Sequence, residues 1–258
     1  MIPIGDNNRA RTFPYVTYAL ILLNFVVFFY ELYLNGQQVL PGLTELDRFI
    51  DRWGNVPACT FDAIGWDRGV IAFNRACTGQ PHASWTPVTA MFIHLGWLHI
   101  LGNMLFLWIF GDNVEDAMGH ALYALFYLIV GIAAAVAHGL TDANSLTAAV
   151  GASGAVAGVM GAYIVLFPRA VVVAIVPPFF FLPLPIPAFI MIGLWFLFQL
   201  IGGFASLGPE VASTGGGIAY FAHIGGFVAG AILVNLFAIN RARATRRTKS
   251  IRPRENTR

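Results

Sequence analysis

Apolar runs long enough to cross a membrane alternate along this chain with short polar stretches. A bilayer core takes roughly 20 mostly apolar residues per helix. Six runs fit: 15–34, 95–110, 121–140, 150–167, 188–206 and 217–239. The second and fourth are short, which predicts helices that begin below the membrane surface inside a bundle. The fourth stops at Pro168, a residue that disfavours continuation of the helix. Residues 35–86 break the pattern. They form one long loop of mixed charge with Trp53, Trp66 and Trp85, side chains suited to a membrane interface. Residues 176–187 read VPPFFFLPLPIP. They are too proline-broken to span as a helix and are expected at the interface. The expected fold is all-α and polytopic: a six-transmembrane-helix bundle with a long outward loop between helices 1 and 2.

Composition excludes an ordinary soluble domain. The chain is 57% hydrophobic and 11% charged, where a soluble domain carries about 25% charged residues. Run 15–34 is too long for a signal-peptide core, and no small-x-small cleavage site follows it, so it is read as a transmembrane helix.

Charge sets the expected orientation. Arg9 and Arg11 precede the first run. The last stretch, 241–258, holds Arg241, Arg243, Arg246, Arg247, Lys249, Arg252, Arg254 and Arg258 against Glu255 alone. Basic flanks favour the cytoplasmic side, and an even number of spans puts both ends there. Arg169 agrees. Asp112, Glu115 and Asp116 do not oppose this, because acids contribute little to the rule. The chain divides into a cytoplasmic N-terminus (1–14), a six-span domain (15–239) and a basic cytoplasmic tail (240–258). A basic segment directly after a span reads as an anchor on anionic lipid rather than a nucleic-acid arm. The expected setting is the cell (inner) membrane, with the bilayer as partner and no nucleic acid.

Polar groups inside apolar spans are costly and usually functional. Ser153, in Gly151-Ala152-Ser153-Gly154, opens the fourth run. One reading is close helix packing through Gly154 and Gly158. The other is a nucleophile in a first helical turn, where unpaired N–H groups and the helix dipole favour an oxyanion. His223 lies in Ala222-His223-Ile224-Gly225-Gly226, with Gly230 beyond. It is either a buried neutral histidine or a general base brought close by its glycines. No carboxylate falls in either span, so a catalytic pair here is a dyad. His99 and Asn103 share one helix face and can both donate to an oxyanion, or else satisfy one another. A metal reading of His94, His99, His138 and His223 lacks H-E-x-x-H and paired carboxylates. No metal or cofactor is expected. Cys59 and Cys77 both fall in the outward loop, as a disulfide or as two free thiols.

Taken together, these residues resemble the rhomboid family. Its G-x-S-G motif matches Gly151 to Gly154. Its A-H-x-x-G-x-x-x-G motif matches Ala222, His223, Gly226 and Gly230. Its H-x-x-x-x-H-x-x-x-N pattern matches His94, His99 and Asn103. The resemblance implies an intramembrane serine endopeptidase that cuts single-span membrane protein substrates near the outer membrane face. Ser153 would attack and His223 would take its proton. The Ser153 N–H, His99 and Asn103 would hold the oxyanion, and His94 would tie the second helix to the outer loop. It also implies a movable side wall made by the fifth helix and loop 213–217. The family's outer-loop Trp-Arg is here Trp85-Thr86. The aromatic that some members place four residues after the serine is here Ala157, which leaves Tyr220 and Phe221 as candidates to position His223. The rival functions are a catalytically silent rhomboid-like scaffold that binds membrane helices and a histidine-lined cation transporter.

Overall fold

A computed structural model describes residues 1–65, 77, 80, 82–176, 182–207 and 218–238. Trp66, loop 213–217 and the basic tail lie outside these residues. The long helices are α1 (Tyr15–Asn35), α4 (Trp97–Met118), α5 (His120–Thr141), α6 (Ser153–Leu166), α7 (Ala188–Ser206) and α8 (Tyr220–Phe237). Two short helices, α2 (Glu45–Trp53) and α3 (Pro57–Ala63), belong to the long loop. Among the described residues, α1, α5, α7 and α8 are each long and apolar enough to cross a membrane. A fifth crossing comes from the helical stretch Ala83–Phe92 and α4 taken as one bent unit, turned by 84°. The chain is a helical multi-pass membrane protein. α6, with 14 residues, is apolar but short.

The short helix is also the buried one. From Gly154 to Tyr163 every residue of α6 is buried, because α4, α5 and α8 surround it. A helix enclosed by protein need not match the bilayer thickness. Its contact with α8 is backbone to backbone. A Cβ built on Gly226 would overlap the Gly154 carbonyl oxygen, and one on Gly230 would overlap the Gly158 carbonyl oxygen. Glycine at these positions lets the two helices touch. Tyr123, Tyr127, Phe126 and Tyr163 fill the bundle away from this seam. α4 runs to Met118, eight residues past the expected end of the second span. Its extra turns carry Glu115, fully buried, which accepts hydrogen bonds from the Val16 and Thr17 N–H groups and the Thr17 hydroxyl at 2.7–2.9 Å. A carboxylate at the start of α1 satisfies N–H groups that have no partner within the helix.

The prolines of 183–187 have a use the sequence reading did not anticipate. β1 (Ile2–Asp6), β2 (Val171–Ile175) and β3 (Pro183–Pro187) form an antiparallel three-stranded sheet in the order β1-β2-β3. β2, VVVAI, is β-branched except for Ala174. In β3, Pro183, Pro185 and Pro187 alternate with Leu184 and Ile186. Proline lacks an N–H, so it is tolerated on an edge strand with that position turned away from the ladder. The prolines close the open edge, and the sheet joins the N-terminal residues to the chain after α6.

The long loop is ordered where it meets the bundle. Asn55 and Ala149 exchange backbone hydrogen bonds at 3.1 and 2.8 Å. The Ala58 N–H donates to the Ser145 carbonyl at 3.2 Å. Thr60 donates to Asn55 at 2.7 Å, and Gln80 donates to the Asp51 and Gly54 carbonyls at 2.7 Å. Cys59 and Cys77 form a disulfide. The loop is thereby tied to the segment leading into Ser153.

Candidate active site

Ser153 is the first residue of α6, after Gly151 (φ +123°) and Ala152. That φ suits glycine, and space demands it too. A Cβ on Gly151 would stand 2.7 Å from the His99 ring and 3.8 Å from the Ser153 Oγ. Gly151 is pinned by its N–H to the Ala90 carbonyl at 2.8 Å. The serine N–H lies in the first turn, where no intrahelical acceptor exists.

His223 is in the first turn of α8. Its Nε2 stands 2.8 Å from the Ser153 Oγ, a hydrogen bond across 70 residues of sequence. Its Nδ1 stands 2.8 Å from the Gln199 Oε1 on α7. The Trp195 ring lies beside the imidazole, with centroids 6.0 Å apart and planes tilted by 35°. The sequence reading offered Tyr220 and Phe221 as the neighbours that place His223. The structure gives Trp195 and Gln199. Gln199 was legible: it and Ser206 are the polar side chains in 188–206, and a polar residue in such a run calls for a role.

His99 and Asn103 occupy α4, one turn apart. His99 lies against Gly151. Asn103 is buried, and its Nδ2 has no partner among the described residues. His94 sits in the bend before α4. Its ring meets His99 edge-on with centroids 5.0 Å apart. Its N–H donates to both Glu31 carboxylate oxygens at 3.2 and 3.1 Å, and its Nε2 accepts from the Ala152 N–H at 3.5 Å. His94 thus connects α1, the bend and the residue before Ser153. The outer loop is tied separately, through Asn55 to Ala149 in the segment ahead of α6.

A small cavity opens beside Ser153. Gly151, Gly154, Asn55, His138 and Ala222 contribute to its wall. The His138 Nδ1 is buried there without a partner among the described residues. In those residues no three His, Cys, Asp or Glu side chains gather into a metal-holding group. The arrangement offers a hydroxyl, a base within hydrogen-bond reach, donors nearby and space beside the hydroxyl. These are the parts of a nucleophilic acyl-transfer site.

The aromatic side chains of α7 divide between the bundle and its surface. Trp195 and Phe196 meet Phe227 of α8, with centroids 6.3 and 4.2 Å apart. Phe198 is 63% exposed.

Comparison with known proteins agrees with this picture. The chain is 39% identical over 83 residues to RHOMBOID-like protein 6, mitochondrial, of Arabidopsis thaliana, covering 32% of this chain and 26% of that one. It is 27% identical over 154 residues to RHOMBOID-like protein 1 of the same plant, covering 58% and 39%. It is 27% identical over 147 residues to RHOMBOID-like protein 2, also from that plant, covering 54% and 46%. The matches span less than half the length of these relatives. The family pattern described as the Rhomboid domain matches residues 81–240, more than half of the chain and all of the site from His94 to His223. The chain belongs to the rhomboid family.

Proposed function

We propose that this chain is an intramembrane serine endopeptidase working through a Ser153–His223 dyad. The observation that carries the reading is the 2.8 Å contact between the His223 Nε2 and the Ser153 Oγ at the head of a buried helix. Ser153 forms a bond to the scissile carbonyl carbon as its proton passes to the His223 Nε2. The carbonyl oxygen becomes an oxyanion, held by the Ser153 N–H, His99 and Asn103. The intermediate collapses, the C–N bond breaks, and the leaving amine takes the proton from Nε2. A water, deprotonated by His223, then releases the acyl group and regenerates Ser153.

The substrates are single-span membrane proteins cut near the outer face. The protease domain is 15–239, six-span, in the cell (inner) membrane, with residues 1–14 and tail 240–258 in the cytoplasm. Two features support the orientation: the basic flanks, under the positive-inside rule, and a disulfide in the loop on the opposite side, as an oxidising compartment allows. The test uses purified full chain in detergent with a transmembrane substrate. Cleavage by the wild type is expected to vanish in Ser153→Ala and in His223→Ala, with the double variant no worse than either single one. Cleavage persisting in Ser153→Ala removes the mechanism. A wild type that binds the substrate helix without cutting it is a scaffold.

A further inference from the structure

His223 uses both ring nitrogens, and its two partners come from different helices. Nε2 faces the Ser153 Oγ of α6, and Nδ1 faces the Gln199 Oε1 of α7, each at 2.8 Å. A neutral imidazole carries one N–H, and the partner of one nitrogen fixes the role of the other. The Gln199 Oε1 is a carbonyl oxygen and only accepts. Its direction is set within α7, where the Gln199 Nε2 donates to the Trp195 carbonyl at 3.4 Å. A flipped amide would set Oε1 against that carbonyl, oxygen to oxygen. The imidazole proton therefore resides on Nδ1, and Nε2 presents its lone pair to the serine hydroxyl.

We propose that Gln199 is a positioning residue for the reaction. It holds His223 in the tautomer that can receive the Ser153 proton, and it steadies the imidazolium once that proton arrives. The inference rests on the reading of Ser153 and His223 as the dyad. Gln199 touches no reacting atom and acts through His223 alone. The amide takes the place that a carboxylate holds in a three-membered triad, with one difference. It orients the ring and accepts the Nδ1 proton's hydrogen bond, but it brings no negative charge to the imidazolium. α7 thus contributes to the site as well as to the bundle wall: Gln199 meets the edge of the imidazole and Trp195 lies beside its face. The titratable groups that act on His223 from the other packed helices are His99 of α4 and His138 of α5.

The test measures how fast a fluorophosphonate probe labels Ser153 across a pH series, in purified full chain. The low-pH limb of that rate reports protonation of the base in the free protein. Gln199→Leu keeps the bulk and removes the acceptor. It is expected to label roughly tenfold or more slowly, as when a partner that orients a functional histidine is lost. Its limb moves to lower pH, because the imidazolium has lost its acceptor. Gln199→Glu restores an acceptor and adds charge. It is expected to label with the limb moved to higher pH by about one unit or more, since a nearby carboxylate favours the charged imidazole. Loosened packing does not displace the two limbs in opposite directions. A wild-type limb in both variants overturns the proposal, even if Gln199→Leu is slow. Where Gln199→Leu fails to fold, the limb of Gln199→Glu decides alone. Absence of labelling at Ser153 in the wild type is failure of the dyad itself. Normal wild-type labelling with unmoved limbs is failure of the Gln199 role only.

Discussion

Asn103 and Asp6 are both buried polar residues, and their surroundings assign them opposite kinds of work. The Asn103 Nδ2 is enclosed with no partner among the described residues, a condition that costs about 1–3 kcal/mol for a buried donor. An oxyanion formed beside Ser153 would supply the missing acceptor. Asn103→Ala is therefore expected to lower the turnover number roughly 10²-fold, the usual loss for one oxyanion donor, with the Michaelis constant little changed. Steady-state kinetics on a transmembrane substrate check this; a raised Michaelis constant at unchanged turnover makes Asn103 a binding residue. Asp6, in β1 outside the spans, accepts hydrogen bonds from the Tyr163 hydroxyl and from the Asn113 Nδ2. Burial nevertheless pushes its carboxyl up from 3.8 to about 6. The folded state then holds the proton more tightly than the unfolded chain does. The resulting stability is fully present below about pH 4 and is lost as pH rises through about 6. Asp6→Asn keeps an acceptor for Tyr163 and never ionises. It is expected to flatten the unfolding midpoint across that window and to raise it at neutral pH, as thermal unfolding in detergent would record. An unchanged slope means that the Asp6 carboxyl does not drive it.

At the scale of elements, the seam between α6 and α8 sets the distance between Ser153 and His223. Gly230 lies seven residues beyond His223, and Gly158 five beyond Ser153. A methyl group on Gly230 meets the Gly158 carbonyl, so the helices have to part. Overpacking of this kind typically costs about 1–3 kcal/mol. Gly230→Ala is expected to lower the unfolding midpoint and also the turnover of the protein that remains folded. Gly102→Ala is the control, because a Cβ there meets nothing within 4 Å; alanine should leave activity intact and add a little helix stability. Equal behaviour of the two variants would show that the seam does not set the catalytic distance. The two glycine pairs were visible as spacing in the sequence. Their partner was not, since a G-x-x-x-G pair marks a surface for close approach without saying which helix arrives.

Across the whole molecule, the outer loop and the bundle are one structure. The Cys59–Cys77 disulfide fastens a loop whose Asn55 pairs with Ala149, just ahead of Gly151 and Ser153. Closing a loop with a sequence separation of 18 stabilises by roughly 3 kcal/mol in the chain-entropy account. Reductant is expected to lower the unfolding midpoint of the wild type, and the double variant Cys59→Ser/Cys77→Ser should sit at that lower value whether or not reductant is present. Identical midpoints in all four conditions would show that the bond contributes nothing.

The sequence by itself determined the helical membrane class, because hydropathy is local and a span needs only its own residues to be apolar. It also located Ser153, His223 and the pair His99 and Asn103 on three separate runs, since a polar group in an apolar span stands out without any knowledge of its neighbours. It placed α7 at 188–206, the same bounds the structure gives. Tertiary structure decided what local patterns do not encode. Burial by three neighbours explains why α6 can be as short as 14 residues. Strand pairing between residues 2–6 and 171–175 turned a proline-broken interface segment into the edge of a sheet. The direction in which α7 faces α8 put Gln199 and Trp195 on His223 and left Phe198 to lipid. A run of uniformly apolar residues has no distinctive face, so its rotation is set only when neighbouring helices pack against it.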